Sequence, residues 1–291
     1  MATILINRQG AGGDVLMTSP IVRKLHQDGN CEIDFAVSAD NAAFVEKNKY
    51  VRTVYKTLPT EEMIAKYDRY IDLDLVYERN PYMHAVDAYA LHACGTTDFD
   101  RSLELFTSDE DKQTGKTFSD FMAGNYVVLH QRRWAWPSRN INPEMWAKVV
   151  QQIMEQTTAY IVQVGQAHEP VFSGHNRLID VRGQFSIHEL KEVIGNAKLF
   201  MGVDSAPSHI AAATNTDMLV LYTSVKEEYR RPLRTQGKFV PIAPDIDCYG
   251  CHAENPAPCT TFICKRQDVE CVNKFNPDAI AEQAIKLINA Q

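Results

Sequence analysis

The 291-residue sequence predicts an α/β protein made of two parallel-sheet domains facing a central cleft. Three observations carry that expectation. Apolar runs of strand length alternate with stretches of helical spacing, the pattern of βαβ units with right-handed crossovers. The alternation runs twice, restarting with a fresh strand at "YVVLH" (126–130). The length suits two domains, and 45% hydrophobic with 23% charged residues is ordinary globular composition.

In the first half, "TILIN" (3–7) reads as a strand, followed by a glycine-rich turn and the helix "VLMTSPIVRKLHQ" (15–27). Strands follow at 32–37, 51–56 and 69–75. "AVDAYALHACG" (85–95) has helical apolar spacing and a glycine stop, and "FSDFMAGN" closes another helix. Asn125 marks the expected boundary between two Rossmann-like domains, 1–125 and 126–291. In the second half, helix 143–156, strands 159–164 and 178–181, helix 187–197, strand 198–203, helix 207–214 and strand 218–223 follow in turn. A final helix spans 276–289.

The formal net charge of −7 argues against a general polyanion binder, though a local basic groove is compatible with it. The N-terminus lacks the apolar core of a signal peptide, and no apolar run approaches the roughly 20 residues that cross a bilayer. A cytoplasmic protein without a transmembrane segment is expected. Five of seven cysteines crowd into 248–271. In a reducing compartment that density suggests a metal site more than a disulfide framework.

Four stretches carry candidate chemistry, each at a strand end, where open parallel sheets bind ligands. "GVDSAPSHIAAAT" places Asp204 after a strand and Pro207 in the first turn of a helix. The helix start near Ser205 and Ala206, with Ser208 and His209, suits a phosphate. A well-capped helix with a satisfied histidine is an equally ordinary reading of that stretch. "GAGGDV" departs from G-x-G-x-x-G, because Asp14 and Val15 stand where the run should close on a third glycine. Its carboxylate, on an elbow formed with Gly12 and Gly13, can accept a proton at neutral pH or be an ordinary first-turn acid. "HQRRWAWPSRN" offers Arg132, Arg133 and Arg139 to a diphosphate, with Trp134 and Trp136 for stacking, or is a solvated basic loop. "VQVGQAHEP" sets Glu169 where it can accept from ribose hydroxyls or open the next helix.

Taken in order, these stretches resemble glycosyltransferase family 9, the ADP-heptose-type heptosyltransferases of GT-B architecture, over nearly the whole chain. "GVDSAPSHIAAAT" is similar to the family's nucleotide-sugar motif of an acid, a hydroxyl residue, glycine, two variable residues, histidine and alanines. "GGDVLMTSPIVRKL" resembles the opening segment whose aspartate is the base, which carries that role to Asp14. The likeness of "SRNINPEMW" puts Arg139 at the phosphate-binding lysine, and that of "GQAHE" puts Glu169 at the nucleotide. The chain departs from the pattern at Ala206 (glycine in the family), Arg139 (lysine), Ile141 and Asn142 (Trp-Pro), and Thr223-Ser224-Val225 (Gly-Pro-Thr).

The resemblance implies an inverting, metal-independent transfer from a nucleoside-diphosphate sugar to a hydroxyl, with no cofactor for catalysis. The expected acceptor is a saccharide or glycolipid. A hydroxylated DNA base is the alternative, with "RRWAW" and "YRRPLR" tracking phosphates, and a non-catalytic nucleotide- or metal-binding protein is a further one. Four of Cys248, Cys251, Cys259, Cys264 and Cys271 are expected to hold a structural zinc or iron. The sequence does not define an oligomeric state.

Overall fold

Ten strands form two wholly parallel sheets among the residues described by this computed structural model, namely 1–29, 31–131, 136–254 and 264–290. The first sheet holds β1 (Thr3–Asn7), β2 (Glu32–Ala36), β3 (Thr53–Tyr55) and β4 (Arg69–Asp72), in the order β3-β2-β1-β4. Register pairs Leu5 of β1 with Asp34 on one side and Tyr70 on the other. The second sheet holds β5 (Tyr126–Leu129), β6 (Tyr160–Gln163), β7 (Leu178–Asp180), β8 (Leu199–Val203), β9 (Asp217–Leu221) and β10 (Phe239–Ile242), in the order β10-β9-β8-β5-β6-β7. Strands β5, β8 and β9 are buried throughout, as their near-continuous apolar runs require in a sheet covered on both faces.

Strand order reverses beside β1 in the first sheet and beside β5 in the second. A crevice opens at the carboxyl ends of the strands where the order reverses. Arg8 and Asp72 lie at that end of the first sheet, and His130 and Asp204 at that end of the second.

The helices of the first half are α1 (Gly12–Leu16), α2 (Ser19–Gly29), α3 (Glu61–Ile64), α4 (Ala85–Cys94) and α5 (Asp109–Phe121). Those of the second are α6 (Pro143–Gln156), α7 (Ile187–Gly195), α8 (Ala206–Ala212), α9 (Glu227–Arg230) and α10 (Pro277–Asn289). The single helix expected at 15–27 is divided between α1 and α2. The break follows from "TSP": Thr18 Oγ1 donates to Val15 O at 2.7 Å, and Pro20 opens the next helix. Strand β10 and the 3₁₀ turn Ala39–Phe44 were not anticipated, and the strands expected at 51–56 and 69–75 are shorter.

Helix α5 rests on α7, where Gly115 lets the backbones approach beside Glu192. One buried apolar cluster runs from Ile4 and Phe35 of the first sheet to Val128, Phe200 and Val220 of the second. A second cluster fills the space beneath α6 and α10, around the fully buried Trp146.

Candidate active site

Asp14 sits in the first turn of α1, because the helix begins three residues earlier than the apolar spacing suggests. A Cβ at Gly12 would overlap the Phe44 ring, so only glycine lets the elbow seat there. Both carboxylate oxygens of Asp14 are engaged. Oδ2 accepts from Arg8 Nη2 at 2.9 Å, and Oδ1 accepts from the Tyr77 hydroxyl at 3.2 Å. Arg8 is 2% exposed and also reaches Glu78 Oε1 at 3.0 Å and Asp74 Oδ1 at 3.3 Å. Burial opposes its charge, but Tyr89, Asp14 and Glu78 together raise the guanidinium above its ordinary pKa. Burial, reinforced by Asp14, likewise lifts the Tyr77 phenol well above its usual value, so it is a donor at neutral pH.

The second component lies directly opposite. A Cβ added to Gly13 would stand 3.0 Å from His209 Cδ2 and 3.4 Å from Ala206 Cα, so α1 and α8 meet start to start. Asp204 Oδ2 is 3.3 Å from Arg139 Nη2, and its Oδ1 is 3.8 Å from His209 Nε2. Burial lowers the His209 pKa against the pull of Asp204 and Asp14, and the ring's Nδ1 meets no hydrogen-bond partner among the described residues. The Arg139 guanidinium stacks 4.7 Å from the Trp136 ring centre. A small cleft between Arg139, Asp204 and Thr223 opens at the carboxyl ends of β8 and β9.

The two serines of this stretch face inward. Ser205 Oγ donates to Val203 O at 3.0 Å and lies 3.0 Å from His130 Nδ1, while Ser208 Oγ donates to Ser205 O at 2.7 Å. They shape the turn, leaving Arg139 as the cation, with the His209 ring and the helix start as polar groups beside it. Glu169 folds back onto its own loop: Oε2 accepts from Gln166 N at 2.8 Å and meets His130 Nε2 at 3.2 Å. His130 therefore joins Glu169 to Ser205. Sequence reasoning passed over His130, Arg8 and Tyr77, and gave Arg230 only a phosphate-tracking role. The available signal for His130 and Arg8 was a polar residue immediately after a buried strand.

Trp136 is 8% exposed and packs between Arg139 and His252, with the His252 ring 5.2 Å away, so its faces are occupied by the protein. Arg132, Arg133 and Trp134 lie outside the described residues. The basic run at 229–234 turns into the protein at two of its arginines. Arg230 is 6% exposed with its guanidinium 4.0 Å from the Tyr77 ring centre, and Arg234 donates to Thr214 O at 3.0 Å.

The metal expectation finds no support among the described residues. Among the described residues, no group of three or more His, Cys, Asp and Glu is arranged to hold an ion. Burial, together with the neighbouring thiols Cys248 and Cys264, pushes Cys251 up to about 11 and Cys271 up to about 12 when no ion is bound, and an ion coordinated there would displace those protons. Cys248 and Cys264 are free, and Cys259 lies outside the described residues. A larger cavity of about 360 Å³, between α6 and Phe172, Arg177 and Leu178, contains none of the candidate residues. No helix among the described residues is long and apolar enough to cross a membrane.

Comparison with known proteins places this geometry. The sequence model of glycosyltransferase family 9 (heptosyltransferase) matches residues 67–267, a span that omits Asp14 but covers Arg139, Glu169 and the 204–209 stretch. Lipopolysaccharide heptosyltransferase 3 of Escherichia coli is 46% identical over 50 residues, which is 17% of this chain and 15% of that protein. The chain thus spans only a small part of the curated relative it matches. A glycosyl transferase family 9 structure from Veillonella parvula superposes with a TM-score of 0.78 at 13% identity, covering 100% of this chain and 98% of that one. E. coli ADP-heptose LPS heptosyltransferase II gives 0.72 at 14% identity, covering 100% and 99%. The two-sheet fold is therefore GT-B, and the chain belongs to glycosyltransferase family 9, a glycosyltransferase family that includes the heptosyltransferases.

Proposed function

We propose that the protein moves a heptose-like sugar, with inversion, from a nucleoside diphosphate to a hydroxyl of a saccharide or glycolipid. One observation carries this reading: the starts of α1 and α8 meet across Gly13, with the Asp14 carboxylate on one side and, on the other, His209 beside the Asp204–Arg139 pair. In the reaction, the acceptor oxygen bonds to the anomeric carbon from the face opposite the leaving group. The anomeric carbon–oxygen bond to phosphate breaks, and its electron pair leaves on the diphosphate. Asp14 takes the acceptor's proton. Arg139, His209 and the start of α8 at Ser205 and Ala206 hold the diphosphate as its charge develops. Asp204 fixes Arg139 by the 3.3 Å contact. Glu169 binds the nucleoside once a ligand draws its carboxylate from His130. Since arginine supplies the positive charge, the step needs no divalent ion, and EDTA leaves turnover unchanged.

ADP-heptose is the first donor to test, given the name of the structural relative from E. coli. The experiment is a thermal-shift panel of nucleoside-diphosphate sugars, followed by measurement of nucleotide release. A true donor at 100 times its Kd adds about 2.7 kcal/mol of stability. No shift with any member of the panel overturns the reading. A DNA acceptor is the lesser reading, because Arg230 and Arg234 are engaged inside the protein.

A further inference from the structure

Tyr77 lies outside every motif discussed above, in the loop that follows β4. Its hydroxyl nevertheless donates to Asp14 Oδ1 at 3.2 Å. Two guanidiniums lie against its ring, Arg8 at 5.3 Å and Arg230 at 4.0 Å from the ring centre. Arg8 extends from β1, in the same half as Tyr77, whereas Arg230 ends α9 in the other half. A cation on the face of a phenol draws electron density from the ring and strengthens its O–H as a donor. The hydrogen bond to Asp14 is thus set partly by a residue from the nucleotide side of the cleft.

We propose that Tyr77 is a positioning residue for Asp14, fixing the carboxylate through Oδ1 and, through Arg230, making its aim depend on the two halves being together. The inference rests on the assignment of Asp14 as base. Oδ2 is held by the charged Arg8, so protonating it would weaken a charge-assisted bond. Oδ1 is held by a neutral phenol and is the oxygen that takes the acceptor's proton. The other ionisable groups facing Asp14 are Glu78 and Asp74 beside Arg8, Tyr89 of α4 and His209 of α8. They remain in place when the Tyr77 hydroxyl is removed.

The test compares Tyr77→Phe, Asp14→Asn and the unaltered protein by ADP release from ADP-heptose across pH, with ADP affinity measured separately. Tyr77→Phe keeps the ring and both stacked cations. The expected result is a kcat about tenfold lower near neutrality, an unchanged affinity for ADP, and an acid limb of the rate profile moved to higher pH. The limb moves that way because a donor that favours the ionised carboxylate has been lost. A pH profile and kcat identical to those of the unaltered protein, with Asp14→Asn inactive, overturn the role of Tyr77 alone. Full turnover by Asp14→Asn overturns the base assignment and this inference with it.

Discussion

The charge on Asp14 is balanced before any substrate arrives, since Arg8 and Tyr77 each hold one of its oxygens. Asp14→Asn keeps the size and most of the contacts while removing the proton acceptor. Transfer is expected to fall about 10²–10⁴-fold with nucleotide affinity retained, checked by steady-state rates beside calorimetric binding of ADP. Arg139→Ala removes a cation that is 18% exposed and paired with Asp204. Because solvent shares in its charge, the expected weakening of ADP binding is near the low end for such contacts, roughly tenfold in Kd. An unchanged Kd would relocate the phosphate site. The places of Asp14 and Asp204 near the starts of α1 and α8 were legible in the sequence, because each acid stands between an apolar strand run and a helical one, beside glycine or ahead of a proline. Tyr77 and Arg230 were not legible as neighbours of Asp14, because tertiary approach alone brings residues so distant in sequence to one carboxylate.

Helix α4 shows how an element joins the two halves. Its cap, His84, accepts from Val86 N through Nδ1 at 3.2 Å, so the ring hydrogen sits on Nε2 and is donated to Arg231 O at 2.9 Å. Burial holds His84 down to about 4. The unfolded chain takes up this proton near the ordinary value of 6.5, so between about 6.5 and 4 the unfolded state binds more protons. The stability tied to this neutral ring is complete above about 6.5 and is lost as pH falls toward 4, to a limit of about 3 kcal/mol. Melting temperatures recorded across that window should fall with acidity, and His84→Gln should flatten the slope. An unchanged slope would pass the effect to His252, which burial also lowers to about 4. The parallel strands were legible as elements, because double-sided burial writes itself as apolar runs such as "YVVL" and "LFMGV". The division at Thr18 was missed because the apolar period continues across it, while a side-chain hydrogen bond and Pro20 interrupt the backbone.

At the scale of the whole molecule, the two sheets share one apolar cluster and are further tied by the segment at 229–233. Leu103 N donates to Leu233 O at 3.1 Å, Tyr82 meets Tyr229 edge to face, and Arg230 stacks on Tyr77. Gly13 sets how closely the halves approach. Gly13→Ala places a methyl 3.0 Å from His209 and should raise the KM for the donor several-fold more than it lowers the melting temperature would suggest. Donor kinetics read beside a thermal melt check this, and an unaltered KM would mean that α1 and α8 yield without effect on the cleft. The ties at 229–233 also bear on how the chain is made. Tyr77, Tyr82 and Leu103 find these partners more than 125 positions later, so a ribosome at roughly 5–20 residues per second leaves that face of the first half without them for several seconds. The four strands of the first sheet pair only with one another, so that sheet can close early, while the face that meets 229–233 is completed only when the second half emerges.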